Sequence, residues 1–150
     1  MDAAIRRATE ADAPAIPALM RGERVNPTGI DWRRFMVAEL DGGVVGCIQL
    51  RPAGPGAVEL GSLVVRPDLR HGGLGTRLVE AATALAEDRR VLVVAPAART
   101  PWWEARGFRR SGLVSAPWRV GLNMLIGQAG SLVALALRMR PRRLAILERR

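Results

Sequence analysis

At 150 residues, with 49% apolar side chains, the chain is long enough to bury one core, and a single domain over residues 1–150 is expected. Its formal net charge of +9 rests on 23 arginines and no lysine, which excludes any phosphate loop ending in Gly-Lys-Ser/Thr. One cysteine, Cys47, excludes an internal disulfide, and one cysteine beside one histidine, His71, offers no ligand cluster, so no metal is expected.

The charge is uneven. Residues 1–118 hold 16 Arg against 13 acids, or +3, and residues 119–150 hold 7 Arg against Glu148 alone, or +6. Such a tail suits nucleic acid or anionic lipid, but no aromatic ladder or recognition motif accompanies it, so nucleic acid is not an expected partner. The start of the chain lacks a basic stretch followed by an apolar core, and a cytoplasmic location is expected. Val120 to Leu137 has no charged residue and reaches the lower limit of spanning length. Its Gly121, Asn123, Gly127, Gln128, Gly130 and Ser131 favour a packed or interfacial helix, which leaves membrane contact as the weaker reading.

In chain order, Ile5 to Ala8 reads as a short strand. Thr9-Glu10-Ala11-Asp12 has the form of a capping box, and Ala13, Ile16, Leu19 and Met20 give the helix after it an apolar face. Asn26-Pro27-Thr28-Gly29 stops that helix, within a segment carrying Arg21, Arg24, Arg33 and Arg34. Phe35 to Leu40 and Val44 to Leu50 read as antiparallel strands around Asp41-Gly42-Gly43, Pro52 to Gly56 as the next turn, and Ala57 to Val65 as the third strand of a meander. Cys47 sits in the apolar run Val44 to Ile48 and reads as a small core side chain. Alternation along the third strand places Glu59, Gly61, Leu63 and Val65 on one face and Leu60, Ser62 and Val64 on the other.

Arg66-Pro67-Asp68 breaks the strand, and from Gly73 to Glu87 the residues Leu74, Leu78, Val79, Ala82, Leu85 and Ala86 recur at helical spacing. A strand thus runs into a helix through glycine and arginine. The first amides of that helix have no intrahelical partner, and glycines at 72, 73 and 75 let an anion approach them without meeting a Cβ, which describes a phosphate cradle. Val91 to Ala95 reads as a buried strand of the parallel kind. Pro101 to Arg106 reads as a short helix closed by Gly107, followed by a strand from Phe108, a helix over Val120 to Met139, and a last strand at Leu144 to Leu147.

Arg70-His71-Gly72-Gly73-Leu74-Gly75 resembles the Q/R-x-x-G-x-G/A signature of the GCN5-related N-acetyltransferases. Three further stretches are similar to that family: the opening Ile-Arg-x-Ala-Thr-x-x-Asp, the hairpin Phe35 to Gly46, and Pro101-Trp102-Trp103-Glu104-Ala105-Arg106-Gly107-Phe108 against Phe-Tyr-x-x-x-Gly-Phe. The resemblance covers residues 5–112 by motif and reaches Leu147 by topology alone, with the last helix and strand in 117–149.

The resemblance implies an α/β (α+β) acyl-CoA N-acyltransferase fold, a mixed central sheet flanked by helices with the last strand beside the fifth. It implies acetyl-CoA as co-substrate, with Arg70, His71, Gly72, Gly73, Leu74, Gly75 and Thr76 around the pyrophosphate and Leu63, Val64 and Val65 along the pantetheine arm. The Val65 amide would face the acetyl carbonyl, and Glu59, eleven positions before Arg70, would be the general base. Trp102 takes the place of the family's phenylalanine and reads as packing, while Trp103 takes that of its tyrosine, at the cofactor. No tyrosine is present anywhere, so the acid that often protonates the leaving thiolate has no counterpart. The expected reaction is direct attack of a primary amine, from an amino acid or other small molecule, on acetyl-CoA, with a homodimer as the assembly to look for. The same residues allow two alternatives: a CoA-binding module without catalysis, and a peripheral membrane protein held by residues 120–137 and the basic tail.

Overall fold

The computed structural model describes residues 2–21, 23, 25, 29–111 and 144–149. Within them lie seven strands: β1 (Ala4–Arg7), β2 (Phe35–Leu40), β3 (Gly43–Gly54), β4 (Ala57–Val65), β5 (Arg90–Pro96), β6 (Arg109–Ser111) and β7 (Leu144–Arg149). The helices are α1 (Ala15–Met20), α2 (Leu74–Ala84) and α3 (Thr100–Glu104). The strands hydrogen-bond in the order β1-β2-β3-β4-β5-β7-β6, so the last strand does lie beside the fifth. It runs antiparallel to both of its neighbours, β5 and β6. The helix expected over Val120 to Met139, and with it the membrane reading of 120–137, falls outside the described residues. Among the described residues no helix is long and apolar enough to cross a membrane.

The chain divides into two compact units, Met1–Arg51 with Leu60–Glu87, and Pro52–Glu59 with Asp88–Arg150. In the first, Ile16 and Met20 of α1 pack on Phe35, Val37, Cys47 and Val64. Fully burying a side chain of this size contributes about 1.5–3 kcal/mol each, and the spacing 16, 20 is what turns one face of α1 to the sheet. On the other side of this unit α2 packs on β1 and β2.

The turn into α1 is fastened by charge. Asp12 is buried and accepts hydrogen bonds from the Thr9 amide at 2.7 Å and the Thr9 hydroxyl at 3.0 Å, which realises the expected capping box. Arg6 on β1 reaches both Asp12 oxygens, at 2.7 and 3.0 Å, and donates to Glu39 on β2 at 2.6 Å. The Arg6 guanidinium, with help from Thr9, holds the Asp12 carboxyl well below the usual carboxylate range. Cys47 is a core side chain as expected, and burial pushes its thiol up to about 12.

The second unit has a small core of Ala53, Ala57, Leu92 and Ile146. It also has an aromatic corner at the end of α3. Trp103 is buried, with Phe108 edge-on at 5.1 Å and Trp102 edge-on at 4.9 Å. Arg106 lies 3.6 Å over the Trp102 ring and donates to the Trp102 carbonyl. Gly107, at φ +81, closes the helix while the Phe108 amide reaches back to the Trp103 carbonyl at 3.3 Å. The packing role expected of Trp102 therefore belongs to Trp103, and Trp102 is the half-buried ring beneath a cation.

Two boundaries and one strand interior differ from the sequence reading for identifiable reasons. β3 continues through Pro52 to Gly54, so the turn shrinks to Pro55 and Gly56. α2 stops at Ala84 rather than Glu87, because the amide of Ala86 turns back to the Thr83 carbonyl and Glu87 adopts φ +53. Ser62, inside β4, has φ +52, which no uninterrupted strand allows. Alternation therefore fails there, and the face assignment carried across Gly61 and Ser62 is corrected.

Candidate active site

β4 leaves the sheet only after its partner has secured it. The Arg66 amide donates to the Val45 carbonyl at 2.8 Å, so β3 and β4 stay bonded past Val65. Pro67–Leu69 then form a single 3-10 turn, fastened by a two-pronged Arg66 to Asp68 contact at 2.7 and 3.0 Å. Proline at the first position suits such a turn because its missing N–H would have no partner.

Arg70 folds back on the loop. Its Nε donates to the Val65 carbonyl at 2.9 Å and its Nη2 pairs with Glu23, so this guanidinium fixes the end of β4 and ties it to the segment after α1. The sequence reading gave Arg70 to the pyrophosphate; these partners make it the brace of the loop as well. His71 follows at φ +69 and is exposed, as are Gly72 and Gly73.

Gly73 is the N-cap of α2 and has φ +82, a conformation that an L side chain adopts at a cost. A Cβ built on it would meet nothing within 4 Å. Backbone geometry therefore requires glycine here, and the space in front of the helix start is open. The first α2 hydrogen bond is Arg77 amide to Gly73 carbonyl at 3.1 Å, so the amide donors of the turn before it are aimed forward. This arrangement fits a diphosphate.

Along β4, Leu63 and Val65 are half-buried and Val64 is buried in the core of the first unit. Glu59 is 3% exposed and stands third in the nine-residue strand, so its carboxylate is buried rather than on the surface. Ser62 is buried, and its carbonyl accepts from the Cys47 thiol at 3.6 Å.

Sequence reasoning missed the reversal at Ser62 and the Arg70 to Glu23 pairing. For the first a signal was available, because an isolated glycine in a strand, here Gly61, marks a bulge or a close approach. For the second there was none: the two residues are 47 positions apart.

Against known proteins, the model of the acetyltransferase (GNAT) domain matches residues 31–110, more than half of the chain. Amino-acid acetyltransferase of Azotobacter vinelandii is 39% identical over 87 residues, covering 56% of this chain and 20% of that protein. The corresponding protein of Pseudomonas putida strain GB-1 is 36% identical over the same length. The matched stretch thus spans about a fifth of these curated relatives. Among solved structures, N-acetylglutamate synthase from Neisseria gonorrhoeae, complexed with coenzyme A and L-arginine, superposes with a TM-score of 0.74 at 24% identity, over 99% of this chain and 33% of that one. Rv2747 from Mycobacterium tuberculosis, in complex with CoA, superposes with a TM-score of 0.72 at 24% identity, over 97% and 98%. At these identities the likeness is one of fold.

Proposed function

Because the chain belongs to the GNAT acetyltransferase family, we propose that it moves the acetyl group of acetyl-CoA to the amino group of an amino acid by direct attack, without a covalent enzyme intermediate. The observation that carries this reading is the open, glycine-bounded start of α2 directly after β4. Backbone donors there suit a diphosphate, contributed by residues 70–76, while Leu63 to Val65 offer strand edges to an amide-bearing arm.

Acetyl-CoA supplies the activated thioester. The Val65 amide is the donor proposed for the acetyl oxygen as negative charge builds on it. Glu59 is proposed to take a proton from the acceptor ammonium, directly or through a water, so that a neutral amine attacks. With no tyrosine in the chain, the thiol leaves as thiolate, which is tolerable because a thiol is a far stronger acid than an alcohol. Trp103, buried against Phe108, contributes packing rather than a proton.

The test is release of CoA thiol from acetyl-CoA across a panel of L-amino acids and small amines. At least one amino acid should support release, and Glu59→Gln should lower kcat about 10²–10⁴-fold while the dissociation constant for acetyl-CoA stays within twofold. The missing tyrosine favours one rival, a module that binds CoA without catalysis. Acetyl-CoA at about 100 times its dissociation constant should stabilise the fold by roughly 2.7 kcal/mol, and that shift without release under any acceptor would establish the rival.

A further inference from the structure

The face of β3 that packs under α1 changes character along its length. Cys47 and Gln49 stand opposite Val37 and Phe35 and so share their face of the sheet; Arg51 follows two residues on. Phe35, Val37 and Cys47 belong to an apolar cluster, and the stripe then turns to an amide and a cation.

Gln49 is fully buried, and its Nε2 donates to the Gly29 carbonyl at 2.7 Å. That bond fixes which way the amide faces, because the reverse orientation would set two oxygens against each other. Its Oε1 is then buried with no hydrogen-bond partner among the described residues. Leaving such an acceptor unmade costs about 1–3 kcal/mol, a penalty that methionine at this position would not carry.

Arg51 is half-buried, and its guanidinium lies beside Gly61 of β4. A Cβ on Gly61 would stand 2.0 Å from its Nη2 and 2.9 Å from its Cζ, so the missing side chain at 61 is the room the cation occupies. Gly61 has no positive φ, so its backbone does not demand glycine, and the close approach of Arg51 does.

We propose that Arg51, seated over Gly61, is the specificity-determining residue that takes the carboxylate of the acceptor amino acid, with Gln49 Oε1 on the same strand face available to an N–H of that acceptor. This rests on the amino-acid reading above and names the residues that would enforce it. A planar guanidinium matches a carboxylate with two parallel hydrogen bonds, whereas a carboxamide offers only one acceptor oxygen and no charge.

The experiment is calorimetric titration of the intact chain, saturated with CoA, with the twenty L-amino acids and then with the α-carboxamide of each binder. The wild type should bind an amino acid and prefer it to its amide about 10–100-fold, the range of a charged hydrogen-bonded contact. Arg51→Met should lose that preference, with the dissociation constant for CoA within twofold. Gly61→Ala adds one methyl where a flexible side chain can swing away, so the protein should fold, displace the guanidinium and lose the same preference. Gln49→Met should weaken binding of acid and amide alike. Retention of the acid preference in Arg51→Met, or a panel in which nothing binds, would overturn the assignment. An amino acid that binds with the stated preference, yet gives no CoA release in the assay above, would support this site while removing the catalytic reading.

Discussion

The two units close their turns by different means. In the first, the entry to α1 is held by Arg6 between Asp12 and Glu39, and the exit from β4 by Arg70 between Glu23 and the Val65 carbonyl. In the second, the exit from α3 is filled by Trp102, Trp103 and Phe108 around a closing Gly107. The exits from β4 and from α3 both end on glycines with positive φ, Gly73 and Gly107, so composition alone does not separate them. What separates them is whether side chains occupy the space beyond the glycine. A Cβ on Gly107 would meet the Arg149 side chain from 3.6 Å, whereas one on Gly73 would meet nothing within 4 Å, and the charge-braced loop leaves its amides facing outward.

The most severe way to break this contrast is Trp103→Ala. Removing a buried indole from between two rings should cost about 3–5 kcal/mol, read as a lower midpoint in urea. Trp103→Phe retains most of the packing and isolates the cofactor question. If Trp103 only packs, its dissociation constant for acetyl-CoA should equal that of the wild type, and a tenfold rise in a folded variant would assign Trp103 to the binding site.

Asp12 tests the charge-held side. Its folded-state pKa is depressed by Arg6 and by the Thr9 donors, so the stability it contributes is present above the unfolded value of about 3.9 and is lost as pH falls through the folded value. At neutral pH Asp12→Asn should cost about 2 kcal/mol, discounted because the Arg6 side chain is 36% exposed. Below about pH 4 the two proteins should converge. A gap between wild type and variant that stays constant from pH 7 to pH 2 would mean that the carboxylate charge contributes nothing.

The contrast also explains what was legible in the residues. β2 and β4 were bounded without error because Asp41-Gly42-Gly43 and the break at Arg66-Pro67 are local signals that need no tertiary partner. The glycine-bounded start of α2 was legible for the same reason. The place of β7 between β5 and β6 followed from the family resemblance, not from its apolar run. The pairing of Arg70 with Glu23 was not legible, because it depends on where α1 ends, and spacing carries no trace of that. The swap of Trp102 and Trp103 has a similar cause: on a five-residue helix, one residue of rotation decides which ring enters the core. Gln49 and Arg51 passed as ordinary members of a strand, since an amide oxygen without a donor exists only once the fold is formed.

The smallest expected effects come from the two glycines of the open loop, and they sharpen the contrast most because conformation and clearance can be separated there. Gly73 has positive φ with empty space around its missing Cβ; Gly72 has no positive φ, and a Cβ there would make ordinary contact, 3.7 Å, with the Leu69 carbonyl. Gly73→Ala should therefore destabilise the protein by about 1–2 kcal/mol through backbone strain alone. Gly72→Ala should leave stability within about 0.5 kcal/mol. If the loop's amides receive a diphosphate, both methyls intrude on the ligand, and both variants should bind acetyl-CoA more weakly than their stabilities suggest. Should Gly72→Ala bind as the wild type does, the approach to the helix start does not pass over residue 72, and only the Gly73 to Thr76 amides remain as the cradle.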